Sequence, residues 1–249
     1  MMFKDRIADI DVIKNETDQY RPLPTQLMTM LKEYFRIGLT YSSNALEGNT
    51  LTEAETKVIL EDGLTIGGKT LKEHFEVIGH SKAYDFMLSK ARAHQLLESD
   101  ILELHCLFYY LIDQESAGTY RKLPVFVTGT DFEFPKPLEV PLLMKEFMQE
   151  IPQLKAQYHP VHFAAIVHVK LVTIHPFVDG NGRIARLLMN LILLQSGYVI
   201  TIIPSIMKAV YISAIRHAHK GNVTPFLEFI SEMVYESSQE YLRLIKSST

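Results

Sequence analysis

The sequence predicts an all-α domain that carries one β-hairpin. Apolar residues recur at helical spacing through most of the chain. Proline, glycine and capping residues separate those runs. One cluster of β-branched and aromatic residues, folded about Gly129, marks the hairpin. The chain has 249 residues, 47% of them hydrophobic and 22% charged, enough to bury a large core, so residues 1–249 read as a single domain.

The elements follow in order. After Pro22 and Pro24, the residues Leu27, Met28, Leu31, Phe35 and Leu39 form a helical stripe, which predicts a helix over about 24–48, ending at Glu47-Gly48-Asn49. Thr52 and Glu55 have the spacing of a capping box and open a second helix, which Asp62-Gly63 and Gly67-Gly68 punctuate. Helices are expected over about 70–94 and 100–113. The hairpin covers about 125–134, with Val125 to Thr128 on one side of Gly129, Thr130 to Phe134 on the other, and Pro135 closing it. Further helices are expected over about 142–155, 161–174, 182–196, 205–219 and 225–245, the last with Thr224-Pro225 as its cap and first turn.

Composition excludes several functions. The net charge is −4 and no Lys/Arg block stands out, so the electrostatic footprint of a nucleic-acid binder is missing. Cys106 is the only cysteine, which rules out an internal disulfide and suits a reducing compartment. The N-terminal run alternates charged and apolar residues, without the apolar core of a signal peptide. The most apolar stretches, Val161 to Ile174 and Leu187 to Leu194, are shorter than the roughly 20 residues of a membrane span. A soluble, cytoplasmic protein is expected.

The chemistry concentrates in residues 174–186, between two apolar helices. Gly180, Asn181 and Gly182 form a short turn into a helix N-terminus, where free backbone N–H groups and the helix dipole make a concavity for a phosphate. Arg183 and Arg186, three apart, project from the first turns of that helix as candidate grips for β- and γ-phosphates. Asp179 offers a hard oxygen for Mg²⁺. His175 is the candidate general base, with an ordinary pKa of about 6.5. Each residue alone has an ordinary structural role: His175-Pro176 as a helix end, the glycines as turn formers, the arginines as solvated cations. Their convergence in one short segment argues against all of these at once.

Other sites were weighed. His159, His162 and His168 share one apolar stretch, and His217 and His219 another, but neither has metal-ligand spacing. His105-Cys106 suggests a thiol nucleophile, yet adjacent helix positions point about 100° apart, and a buried structural cysteine is the expectation.

The run HPFVDGNGRIAR, residues 175–186, resembles the Fic motif, His-Pro-Phe-x-Asp/Glu-Gly-Asn-Gly-Arg-x-x-Arg, at every defined position. The resemblance implies the helical Fic fold, ATP with Mg²⁺, and transfer of AMP to a Ser, Thr or Tyr hydroxyl of a target protein. It makes His175 the base, Asp179 the metal ligand, Asn181 and the flanking glycines the phosphate cradle, and Arg186 the γ-phosphate clamp. Related Doc kinases usually carry Lys where this chain has Gly182, which favours AMP transfer here.

Upstream, Ser43, Glu47 and Gly48 resemble the family's inhibitory motif, Ser/Thr-x-x-x-Glu-Gly/Asn, on its own N-terminal helix. The resemblance pairs Glu47 with Arg186, and a bidentate contact is expected. The hairpin resembles the family's flap, preceded by Gly118-Thr119-Tyr120-Arg121. Val127, Thr128, Gly129 and Thr130 would then dock an extended target segment by strand addition. At the adenine pocket, where some relatives place a Tyr pair and an Asn, this chain offers Tyr211-Ile212 and His219. The implied partners are ATP, a target protein and the chain itself as a substrate of its own reaction; the oligomeric state, a homodimer included, stays open. Three activities remain: AMP transfer under Glu47 control, removal of AMP from a modified protein, and a silent nucleotide- or partner-binding module.

Overall fold

Two helices that are apolar on nearly every side, α7 (Pro160–Ile174) and α8 (Asn181–Gln195), pack against each other at the centre of the molecule. From Ile184 to Leu193 every side chain of α8 is buried, which requires neighbours all round. In the computed structural model, which describes residues 3–93, 95–126 and 130–248, those neighbours come from both ends of the chain. The other helices are α1 (Ile7–Asp18), α2 (Thr25–Leu46), α3 (Glu53–Asp62), α4 (Leu71–Ser89), α5 (Glu98–Tyr109), α6 (Val140–Gln157), α9 (Lys208–His219) and α10 (Thr224–Lys246). Helix α4 lies against α8 and α5, α2 against α4 and α8, α6 and α10 against α7, and α1 closes on α10. The fold is all-α, as the spacing predicts. Among the described residues no helix is long and apolar enough to cross a membrane.

The capping signals predicted helix starts well. Thr52 Oγ1 accepts the Glu55 N–H while Glu55 accepts the Thr52 N–H, and Thr70 with Glu73 repeats the device at α4. At α10 the start is offset: Thr224 is already helical and its N–H goes to Asn222 Oδ1, so the asparagine does the work assigned to the threonine. A short 3₁₀ turn, Ser205–Met207, precedes α9. Helix α1 leaves little signal in the sequence, because its buried stripe is only Ile10, Ile13 and Thr17 among charged residues.

The expected hairpin is not present as strands among the described residues. Val127, Thr128 and Gly129 lie outside them. A two-stranded ribbon has little stability unless a face is packed, and here Phe132 and Phe134 meet edge to face and pack onto histidines at the ends of α7 and α9. Phe132 stacks on His219 at 3.9 Å between ring centres, and Phe134 meets His175 at 4.4 Å. Thr130 takes the Phe132 N–H on its side chain, closing a local turn in place of a ladder bond.

Candidate active site

Helix α7 ends on His175 in the left-handed conformation, φ 52°, and is the sole non-glycine at positive φ among the described residues. Such a backbone costs on the order of 1–3 kcal/mol and persists only where its surroundings fix it. Here the His175 N–H bonds Leu171 O, and Nδ1 lies 3.1 Å from Val172 O. A carbonyl only accepts, so Nδ1 carries the proton and the Nε2 lone pair is free. Burial is the main cause that pushes the imidazole down to about 4, helped by Arg121 and opposed by the Val172 bond, Glu47 and Asp179. His175 is therefore neutral near pH 7, in the tautomer a base needs.

The loop from 176 to 180 is held from within. Asn181 Oδ1 accepts the Phe177 N–H and its Nδ2 donates to Phe177 O, so this side chain shapes the turn. His105 holds the other side: its ring stacks on Phe177 at 3.8 Å, Nε2 reaches Asp179 O and Nδ1 takes the Gly118 N–H. Sequence reasoning missed that role, since nothing near His105 in the sequence points to the loop. Cys106 is half-buried and free, and burial raises its thiol; His105 makes no pair with it.

Gly180 is the N-cap of α8 at φ 81°, and no side chain caps the helix. The first N–H groups of α8, from Asn181, Gly182 and Arg183, accordingly lack intrahelical partners and face the turn as donors. Asp179 stands beside them with its side chain 38% exposed. Oδ1 accepts from the Gly180 N–H and Arg183 Nη2, and Oδ2 is met by Lys72 Nζ at 3.4 Å. Burial raises this carboxyl, but Arg183, the Gly180 N–H and Lys72 hold it below its usual range. No cluster of three or more metal-binding side chains exists among the described residues. One carboxylate oxygen with a single exposed lysine on it fits a magnesium ion that arrives on a triphosphate and leaves most of its shell to phosphate and water.

The two arginines part company. Arg183, buried, donates to Glu76 Oε1 and Asp179 Oδ1, both at 2.9 Å, and lies over the Phe108 ring. It sits behind the loop. Arg186, only 1% exposed, reaches the other way: Nε to Ser43 Oγ, Nη2 to Ser43 O and to Glu47 Oε1 at 2.8 Å, Nη1 to Tyr211 OH. Its contact with Glu47 is end-on through one oxygen and not bidentate, because Ser43 takes the Nε side of the guanidinium. Burial raises the Glu47 carboxyl, yet Arg186 and Arg183 hold it below the usual range.

Glu47 caps α2, followed by Gly48 at φ 103°, a turn that favours glycine. Its side chain is 36% exposed and forms part of a cleft of about 530 Å³ with His175, Gly182, Phe134, Thr130, Tyr211, Ile212, Arg216 and His219. Tyr211 OH, accepting from Arg186, donates in turn to Nε2 of His168, which burial keeps neutral. The structure thus brings His175, Gly182, Glu47, Thr130 and Tyr211 to one cleft, with Ser43 bonded to Arg186 and Arg183 held by Glu76 and Asp179.

A model of the Fic/DOC family matches residues 95–193. The protein adenylyltransferase Fic of Drosophila willistoni is 35% identical over 240 residues, which are 95% of this chain and 47% of that protein. That of Drosophila melanogaster is 38% identical over 204 residues, 81% of this chain and 41% of that protein. The chain thus spans about half the length of the curated relatives it matches. Among solved structures, a Fic-1 fragment from C. elegans superposes with a TM-score of 0.85 at 31% identity, covering 98% of this chain and 72% of the fragment. A Fic domain containing signaling protein from Bacteroides thetaiotaomicron superposes at 0.88 and 29% identity, covering 96% and 98%.

Proposed function

The chain belongs to the Fic family, and we propose that it transfers AMP from ATP to a Ser, Thr or Tyr hydroxyl of a target protein, with Glu47 holding that activity down. The carrying observation is the 2.8 Å pair of Glu47 Oε1 with Arg186 Nη2 at the floor of a cleft that His175 and Gly182 also line. Residues 1–249 are read as one Fic domain, a reading supported by the large core cluster that draws residues from Ile10 to Ile245. The absence of any second cysteine suits the cytoplasm.

The roles follow from placement. The N–H groups at the start of α8 receive the α-phosphate, and Arg186, once Glu47 withdraws, grips the γ-phosphate. His175 Nε2 takes the proton of the attacking hydroxyl as its oxygen bonds the α-phosphorus and pyrophosphate departs. Asp179 holds Mg²⁺, which when bound neutralises phosphate charge. Tyr211 fixes the Nη1 side of Arg186, and Thr130, in the cleft wall, borders the place where a target segment docks. Gly182 supports AMP transfer over γ-phosphate transfer, since the related Doc kinases usually carry Lys at that position.

The test is incubation of wild-type and Glu47→Gly protein with ATP labelled at the α or the γ position. Label kept on protein from the α position alone, and much more of it with Glu47→Gly, is the expected result. Label kept from the γ position, or equal labelling by both forms, refutes the proposal.

A further inference from the structure

Arg121 is buried and faces no carboxylate within ion-pair distance among the described residues. Its guanidinium donates to three backbone carbonyls instead: Nε to His175 O at 2.8 Å, Nη1 to Leu123 O at 3.2 Å and Nη2 to Pro135 O at 2.5 Å. Its own N–H bonds Pro176 O at 2.9 Å. Burying a guanidinium without a counter-charge is costly, and burial lowers its pKa. Three neutral carbonyls from three parts of the chain are what it holds in return. One of them belongs to the residue with the strained backbone, and the other two lie on either side in sequence of Thr130 and Phe134, which line the cleft.

We propose that Arg121 is the positioning residue of the active centre, locking the left-handed backbone of His175 and tying residues 123 and 135 to it, so that the base keeps one spacing to Thr130 and Phe134 in the cleft wall. This rests on the reading of His175 as the base. The contacts hold φ 52° from both sides: the His175 carbonyl is held by Arg121 Nε, its N–H by Leu171 O, and the next carbonyl by the Arg121 N–H. The uncompensated charge also faces the imidazole, alongside Glu47 and Asp179, which act in the opposite sense.

Arg121→Met and Arg121→Lys, each made in Glu47→Gly protein, test it through two readouts: KM and kcat with magnesium-ATP, and the NMR titration of the His175 ring. Misplacing a base by about 1 Å costs on the order of 10²-fold. Arg121→Met is expected to lower kcat by about that factor with the KM for ATP nearly unchanged, and to move the His175 titration up toward the ordinary value of about 6.5. Arg121→Lys, which keeps the charge but cannot span three carbonyls, is expected to fall between the two in kcat and to keep the low titration. Parent-like kcat in Arg121→Lys, or a kcat loss in Arg121→Met matched by an equal rise in KM with the titration unmoved, overturns the proposal. If Arg121→Met does not fold, Arg121→Lys decides on the same readouts. A Glu47→Gly parent that transfers nothing counts against AMP transfer and leaves the His175 titration to decide the role of Arg121.

Discussion

Gly182 faces Glu47 so closely that a β-carbon built on it overlaps Oε1 of the carboxylate, with Arg186 Nη1 at 3.1 Å on the other side. The glycine that opens the phosphate cradle is thus also the one that lets the brake seat. Gly182→Ala displaces the Glu47 carboxylate, the far end of a flexible side chain, from Arg186. Losing a hydrogen bond between charged groups costs about 1.5–3 kcal/mol, while alanine is intrinsically the better helix former by up to about 1 kcal/mol. Gly182→Ala should therefore destabilise wild-type protein in urea unfolding and be neutral or stabilising in Glu47→Gly protein. Equal effects in both backgrounds mean that the two residues do not compete for space.

His175→Ala should remove transfer by about 10² to 10⁴-fold while leaving ATP affinity nearly unchanged. The imidazole lines the cleft with Nε2 free, and its other nitrogen is committed to Val172 O. Calorimetry with a non-hydrolysable ATP analogue separates the two effects. A parallel loss of binding assigns His175 to the nucleotide and not to the hydroxyl.

Residues 175–186 are legible as a candidate site because they lie in one continuous run. His175 to Arg186 need only a helix end, a glycine turn and a helix start to converge, and each leaves a local signal. Glu47 was reachable only through family resemblance, since nothing in residues 43–48 alone points to Arg186. What escaped depends on contacts between distant segments. Arg183 reads as a phosphate grip beside Arg186, yet Glu76 from α4 claims it. His105 and Arg121 hold the loop from α5 and from the run after it, at separations no local pattern encodes. The helices were predicted from their stripes and caps, and α1 was not because its stripe is three residues wide.

Arg183→Met should act on stability more than on nucleotide affinity. Both Arg183 and Glu76 are buried, and removing one partner of such a pair costs up to about 3–5 kcal/mol because the Glu76 carboxylate then keeps only the exposed Lys72, at 4.0 Å, as a counter-charge. The expected result is a large drop in Tm, partly restored by adding Glu76→Gln. A variant with wild-type Tm and greatly weakened ATP binding makes Arg183 a direct phosphate ligand instead.

Acid should weaken the fold before it silences the base. Burial pushes His80 down to about 3 and His105 and His175 to about 4, against about 6.5 in an unfolded chain. With folded values lower than unfolded ones, the unfolded state binds more protons between about pH 6.5 and 4. Stability is then full above about 6.5 and declines as the pH falls through that window. His175 itself stays neutral there, so kcat/KM of the Glu47→Gly enzyme should hold its plateau from about pH 7 to 5, where a histidine of ordinary pKa loses most of its base form. Removing Glu47, which raises the His175 value, moves the acid limb further down. Thermal melts and kcat/KM profiles over the same pH range check both halves. A flat Tm between pH 6.5 and 4.5 contradicts the buried neutral histidines, and an acid limb near 6.5 contradicts the depressed value at His175.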